Sequence, residues 1–326
     1  MTSPSARASR IVTLTLNPAL DIATDVERIV AGPKLRCGAV RREAGGGGVN
    51  VARAITALGG DALALHASGG ATGTLVDDYL TERGTPHRRL PIGGTTRENL
   101  AVLERSSGER FRFVLPGPTL TEAEWRRCLD EAVAAAEGPY LVASGSLPPG
   151  VPDDFHVRLA RALEPAGTRL LVDTSGPPLR AAAEGGVHLI KPNFREFDEL
   201  EGGPLTDAAR EDLAERIVRR GGAEIVIVTL GPAGALLVTA GERVRIAAPV
   251  VEHPDSPVGA GDSFMAGLAL ALTQGRPVVE ACRRGVAAAA AAMLTPGTEP
   301  CRRADMERML SAMDRAAPGA SPAPEP

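Results

Sequence analysis

Apolar, β-branched runs at 11–16, 61–67, 140–144, 169–173, 187–190 and 225–230 alternate with stretches in which apolar residues recur every three to four positions. The first kind has strand length. The second, near 48–58, 73–83, 121–137, 153–164, 206–220, 261–274 and 277–293, has helix length. Their alternation predicts β-α units, that is, an α/β fold with a parallel sheet covered by helices on both faces. Ligands in such sheets sit beyond the carboxyl ends of the strands. That directs attention to Asn17-Pro18-Ala19-Leu20-Asp21, to the turn from Ser144 to Gly150, to Lys191-Pro192-Asn193 and to Thr229-Leu230-Gly231.

Two segments break the alternation. Residues 22–43 and about 92–115 read as short strands with polar alternation, the second with a Ser107-Gly108 turn between Asn99–Glu104 and Phe111–Leu115. Together they predict a small antiparallel sheet, built from two insertions, that forms a lid over the large domain.

Composition narrows the picture. At 326 residues and 44% apolar content, the chain can bury a large core. Residues 1–9 and 316–326 lack periodicity and are expected to be flexible tails around a single domain at 10–313. No run of eighteen apolar residues exists and the first residues lack the apolar core of a secretion signal, so the expectation is a cytoplasmic protein with no membrane partner. Four scattered cysteines, without CxxC spacing, fit reduced thiols and argue against a cysteine zinc site. A net charge of −4 offers nucleic acid no long-range attraction. Of 36 basic residues only Lys34 and Lys191 are lysines, which marks both as positions where a compact ammonium is required, unless the bias is one of codons alone.

The chemistry concentrates in Pro257-Val258-Gly259-Ala260-Gly261-Asp262, at the start of a helix whose Phe264, Met265, Leu268, Ala271 and Leu272 share a face. Glycines there let the backbone turn tightly, and free N–H groups at a helix start attract anions. A carboxylate among those donors suggests a base beside a phosphate, as phosphoryl transfer to an alcohol requires; a helix cap is the plain alternative. Gly45-Gly46-Gly47-Gly48-Val49-Asn50 opens another helix, with glycines for close backbone approach to a ligand and Asn50 for sugar hydroxyls. It lacks the spacing of a dinucleotide fingerprint. Asn193 and Glu196, three apart, could share a hydrated Mg²⁺ or simply form a capping box. Asp21 could bind vicinal hydroxyls, Ser146 sits at a strand tip, and Arg97 lies in the second insertion. Thr229 to Gly234 reads as a strand end and hairpin turn.

Asn-Pro-x-x-Asp, the Gly-rich turn leading to Asn50, Thr96-Arg97-Glu98-Asn99, Ser144-Gly145-Ser146-Leu147-Pro148, Lys191-Pro192-Asn193-x-x-Glu196 and Gly259-Ala260-Gly261-Asp262 occur in an order that resembles the ribokinase-like, or PfkB-type, sugar kinases over nearly all of residues 10–313. Within them the match is most similar to the type 2 bacterial 6-phosphofructokinase branch. Pro257 departs from the Thr common among relatives. The resemblance implies a ribokinase-like three-layer α/β/α domain with a β-sheet lid, paired through the lid into a homodimer, and ATP-dependent phosphorylation of a sugar phosphate with Mg²⁺. It gives Asp262 the role of general base, with the N–H groups of Gly259, Ala260 and Gly261 around the transferred phosphoryl. Asp21, Gly46, Gly47, Asn50 and Ser146 fall to the sugar, Arg97 to its 6-phosphate, and Lys34 to a phosphate, reached from the lid. Lys191 and Asn193 fall to ATP phosphates, Glu196 with Asn193 to Mg²⁺ through water, and Thr229, Gly231 and Gly234 to the nucleotide groove. Kinases of fructose 1-phosphate or tagatose 6-phosphate, which typically carry Lys in place of Gly47, are the rival reading; a non-catalytic sugar-phosphate sensor is the remote one.

Overall fold

The computed structural model describes residues 10–252, 254–297 and 299–315; the expected tails at 1–9 and 316–326 lie outside them. In chain order the elements are β1 (Ile11–Thr15), β2 (Ala19–Val26), β3 (Arg41–Gly45), α1 (Gly47–Ala57), β4 (Ala62–Ser68), α2 (Gly70–Glu82), β5 (His87–Pro91), β6 (Arg97–Glu104) and β7 (Arg110–Val114). Then come α3 (Glu122–Ala135), β8 (Tyr140–Ser144), α4 (Phe155–Leu163), β9 (Arg169–Asp173), α5 (Gly176–Glu184), β10 (Val187–Ile190), α6 (Phe194–Asp198), α7 (Asp207–Arg219) and β11 (Ala223–Thr229). The chain ends with β12 (Ala235–Thr239), β13 (Arg243–Ile246), α8 (Ala260–Thr273), α9 (Val278–Ala292) and α10 (Arg303–Arg315). None of the described helices is long and apolar enough to cross a membrane.

Nine strands form one sheet in the order β13-β12-β11-β10-β9-β8-β1-β4-β5, with every neighbouring pair parallel except β11–β12 and β12–β13, so that β12 alone is reversed. Side chains along each strand alternate between the two faces, as the pleat requires. Val12, Leu141 and Val172 face the layer of α3, α4, α5 and α7, whereas Ile11, Val142 and Leu171 face α1, α8, α9 and α10. Both faces are thereby dry, which is why the strands read as continuous apolar runs. The second layer is very tight between α8 and α9. A Cβ on Gly267 would lie 2.8 Å from the Arg284 carbonyl, and one on Gly285 2.9 Å from the Phe264 ring. These two helices therefore hold the start of α8 in a fixed position.

The lid is a four-stranded sheet in the order β3-β2-β6-β7. Its central pair, β2 and β6, runs parallel in register from Ala19 opposite Arg97 to Val26 opposite Glu104; only the outer pairs are antiparallel. The expectation of an antiparallel lid is corrected accordingly, because each insertion leaves the large domain in the same direction and the two can meet only side by side. The stretch 27–40 between β2 and β3 contains no strand. Four further elements lie outside the runs expected from the sequence: β5, β13, α5 and α10. The folded chain extends through Arg315, two residues past the expected boundary.

Candidate active site

The strand tips and the start of α8 bring four groups together. Gly259, in the left-handed region at φ 81°, turns the chain into α8, and no side chain caps this helix. Its first N–H groups, on Ala260, Gly261 and Asp262, precede the first intrahelical bond, from Ser263 N–H to the Gly259 carbonyl at 2.9 Å. Asp262 stands in this first turn. Its Oδ2 accepts from Asn50 Nδ2 at 2.9 Å. Asn50 is itself held by α1, with Arg53 donating to its Oδ1 at 3.4 Å, so the amide presents its nitrogen to the carboxylate.

Asp173, at the carboxyl end of β9, and Lys191, just past β10, complete the cluster, with Lys191 Nζ 3.2 Å from Asp173 Oδ1. The ammonium is almost wholly buried, at 3% exposure. A Cβ on Gly261 would lie 3.8 Å from Nζ, which places the charge against the α8 turn. Burial pushes the Asp262 pKa up to about 7; the negative charge of Asp173 adds to the rise, while the Asn50 hydrogen bond and Lys191 oppose it. Burial also raises Asp173, against the pull of Lys191. Asp173 escaped the sequence reading because an acid ending a strand looks like an ordinary loop residue. Its signal was its place at the carboxyl end of a parallel strand.

Two cavities flank the 256–261 turn. On one side is a cleft of about 670 Å³ lined by Asn193, Thr229, Gly231, Gly234, Ala260 and Gly261, with an apolar wall of Val251, Phe264, Ala290 and Met293. On the other is a pocket of about 100 Å³ beneath the lid, lined by Asp21, Glu43, Asn99, Ser256 and Val258. Asp21 accepts from Asn99 Nδ2 at 2.8 Å, and burial raises its pKa. Asp21 lies inside β2 rather than at the end of a strand of the large domain. Arg97 donates to the carbonyls of Asn17 at 3.0 Å and Leu115 at 3.2 Å. Asn17 donates to Ser146 Oγ at 3.1 Å, joining the β1 and β8 tips.

Several expectations need revision. Gly46 does require a positive φ, 119°, and the glycine run also answers to the packing of the chain on itself. A Cβ on Gly47 would fall 2.3 Å from Ser144 Oγ, and one on Gly46 2.7 Å from Thr15 Cγ2. The glycines let α1 start directly against the strand tips, where Val49 N–H donates to Thr15 Oγ1 at 2.9 Å. Asn193 and Glu196 form the capping box: Asn193 Oδ1 accepts from Arg195 and Glu196 N–H, and Glu196 Oε2 accepts from Asn193 N–H at 2.8 Å. The Asn193 oxygen is thus committed and unsuited to bind a metal directly, whereas Glu196 keeps one oxygen. Burial raises the Glu196 pKa. It lines a separate cavity with Arg180 and Glu199 rather than the large cleft. Lys34 is exposed in the stretch 27–40, away from the cluster within a single chain.

Because Asp262 is harder to ionise in the fold than in the unfolded chain, its charge weighs against folding increasingly as pH rises from about 4 to about 7, and fully above. Asp262→Asn is expected to stabilise the ligand-free protein at pH 8 by an amount on the order of 2–4 kcal/mol and to have almost no effect near pH 4, read from urea unfolding at both values. Equal effects at the two pH values would contradict the raised pKa.

Comparison with known proteins agrees with this geometry. The pfkB family of carbohydrate kinases matches residues 14–305. An ATP-dependent 6-phosphofructokinase isozyme 2 of Mycobacterium tuberculosis is 45% identical over 95% of this chain and 92% of its own. A 1-phosphofructokinase of Xanthomonas campestris is 35% identical over 84% and 87%. Crystal structures of phosphofructokinase-2 from Escherichia coli cover 94% of this chain and 100% of their own: a potassium complex has a TM-score of 0.89 at 41% identity, and a fructose-6-phosphate complex 0.87 at 40%. With the sheet order, the lid and the Asp262 turn all in place, the chain belongs to the pfkB family of carbohydrate kinases.

Proposed function

We propose that this chain transfers the γ-phosphoryl group of ATP to the C1 hydroxyl of fructose 6-phosphate. The observation that carries the reading is that the turn leading into Asp262 borders both cavities: Ser256 and Val258 line the lid pocket, and Ala260 and Gly261 the large cleft. ATP would lie in the cleft, its adenine against the apolar wall and its phosphates toward Gly261. The sugar would lie under the lid, its hydroxyls on Asp21 and Asn99.

A base whose pKa lies near neutrality is suited to take a proton from an alcohol as that oxygen attacks phosphorus. Asp262 would accept it, oriented by Asn50. The uncapped N–H groups of α8 and the Lys191 ammonium would meet the charge that develops on the transferred group. Mg²⁺ would supply further charge neutralisation at the phosphates; the remaining Glu196 oxygen, which faces the neighbouring cavity yet lies near enough to feel Asp173 and Lys191, would hold it through water. Arg97 uses two of its five N–H donors on carbonyls and keeps others for the 6-phosphate. The preference for fructose 6-phosphate is supported by the higher identity to the 6-phosphofructokinase than to the 1-phosphofructokinase.

The lid also offers an apolar surface. Leu100 and Phe113 pair in register and are 38% and 50% exposed, with Leu115 following just past the end of β7. A contiguous patch of this kind marks an interface, and we infer that two lids pair, which would bring Lys34 toward the partner's site. One structure of the E. coli relative is described as a tetrameric inhibited form.

Asp262→Asn is expected to lower kcat by about 10²–10⁴-fold while ligand affinities change little, since only proton removal is lost. In the wild type, kcat/KM should fall on the acid side with an apparent pKa of about 7. Asp173→Asn should move that limb to lower pH, because it removes a negative neighbour and leaves the Lys191 charge to Asp262. A limb that stays in place would dissociate the profile from Asp262. Across a sugar panel, kcat/KM should favour fructose 6-phosphate over fructose 1-phosphate by at least about tenfold, and Arg97→Ala should raise KM for the sugar far more than for ATP. Preference for another sugar phosphate would overturn the substrate but not the kinase chemistry. Light scattering of Phe113→Arg should give half the wild-type mass; a monomeric wild type would refute the lid interface.

A further inference from the structure

At the edge of the large sheet, outside the active site, three side chains converge whose pairing is incomplete. His66 on β4, Asp77 on α2 and His87 at the start of β5 each bring one potential ligand atom to within 4.8 Å of the others. The parallel register sets Ala64 opposite His87 and His66 opposite Arg89, so both imidazoles point to the face covered by α2.

His66 is completely buried, and its Nε2 lies 3.4 Å from Asp77 Oδ1. Among the described residues neither atom has a hydrogen-bond partner, in the other or elsewhere. Two buried polar atoms left in that state are costly. Their remaining atoms, by contrast, are anchored. His66 Nδ1 is 3.0 Å from Ser68 Oγ, Asp77 Oδ2 is held by Arg89, and His87 Nδ1 is 3.0 Å from the Thr85 carbonyl. A carbonyl only accepts, so His87 Nδ1 carries a proton and Nε2 is the nitrogen left for a ligand. This is the arrangement of an imidazole prepared to ligate: one nitrogen tied to an oxygen, the other free. Burial, His87 and Arg89 all disfavour the His66 imidazolium, which keeps its ring neutral.

We propose that His66, Asp77 and His87 form a binding site for a borderline divalent transition-metal ion, of the Zn²⁺ or Co²⁺ class, separate from the catalytic centre. Two ligand atoms at about 2.0–2.1 Å from one tetrahedral ion stand about 3.4 Å apart, the separation of His66 Nε2 and Asp77 Oδ1. Two imidazoles and one carboxylate suit this class and not Mg²⁺ or Ca²⁺, which take oxygen ligands. Asp77 and His87 are only half-buried, which provides an entry path and a fourth position for water. An ion there would tie the edge strand β5 and helix α2 to β4. Arg89 works against the ion by its charge, yet it also fixes the carboxylate by occupying the outer oxygen.

The test uses the full chain, stripped with a chelator and free of nucleotide. Co²⁺ titration followed by visible d–d absorption, with metal counted after desalting, should give one tetrahedral ion per chain, displaced by Zn²⁺, and Zn²⁺ should raise Tm. His87→Gln and Asp77→Asn, substitutions at partly exposed positions, should each weaken Co²⁺ binding at least about tenfold while circular dichroism stays native. Asp262→Asn should bind Co²⁺ as the wild type does. Absence of stoichiometric binding, or binding that survives both substitutions, would overturn the proposal and leave His66 and Asp77 as a long, poorly aligned polar contact.

Discussion

The carboxyl of Asp262 is held in a place where its charge is poorly solvated, with the like charge of Asp173 nearby and only Lys191 and one Asn50 hydrogen bond to offset them. Left to itself, such a group would retreat toward water by a small rotation of its helix. What prevents this lies behind it. Gly267 and Gly285 allow α8 and α9 to approach until backbone meets side chain, so any tilt of α8 collides with its neighbour. The perturbed pKa is therefore a property of the packing of a helix pair as much as of the groups around the carboxyl, and the cost of the poorly solvated charge is met from the surrounding core.

The same constraint explains the division of the site. The turn that ends at the Asp262 carboxylate borders two cavities of different construction. The large cleft combines backbone, at Thr229, Gly231, Gly234 and the α8 start, with an apolar side-chain wall. The lid pocket is lined by side chains, where the parallel register puts Asp21 directly opposite Asn99. Those two residues come from insertions 78 positions apart in sequence. The β2–β6 ladder makes the two insertions one surface, and Arg97, bound to the carbonyls of Asn17 and Leu115, ties that surface to the β1 tip.

Much of this was legible in the sequence. The six apolar runs became strands because they are buried on both faces, and the α8 turn announced itself through paired glycines before a strong helix. β5 was not legible, since His87-Arg88-Arg89 puts charge where an edge strand needs little burial. Nor was α5, which opens on Gly176-Pro177-Pro178 and reads as a turn, although Pro fits the first turn of a helix. The Gly-rich run was legible as a tight turn, but not the crowding that the chain itself imposes there. Glycine is selected equally by a ligand and by a close approach of the chain to itself, and the positions of Ser144 and Thr15 show the second at this turn. His66, Asp77 and His87 carry no spacing signal because sheet register, not helical periodicity, brings them together.

The scarcity of lysine gave a sharper pointer than composition usually does, and the two lysines show why it works unevenly. Lys191 lies in a confined space between Asp173, the Gly261 turn and the Phe264 ring, 5.9 Å from the ring centroid. A planar guanidinium is wider than an ammonium and would press on the backbone turn at Gly261. There the residue type is dictated by volume and charge together. Lys34 is exposed and meets no such wall within one chain. On the lid pairing proposed above, a group selecting an ammonium at that position would belong to the partner protomer, reached through the apolar lid face formed by Leu100 and Phe113.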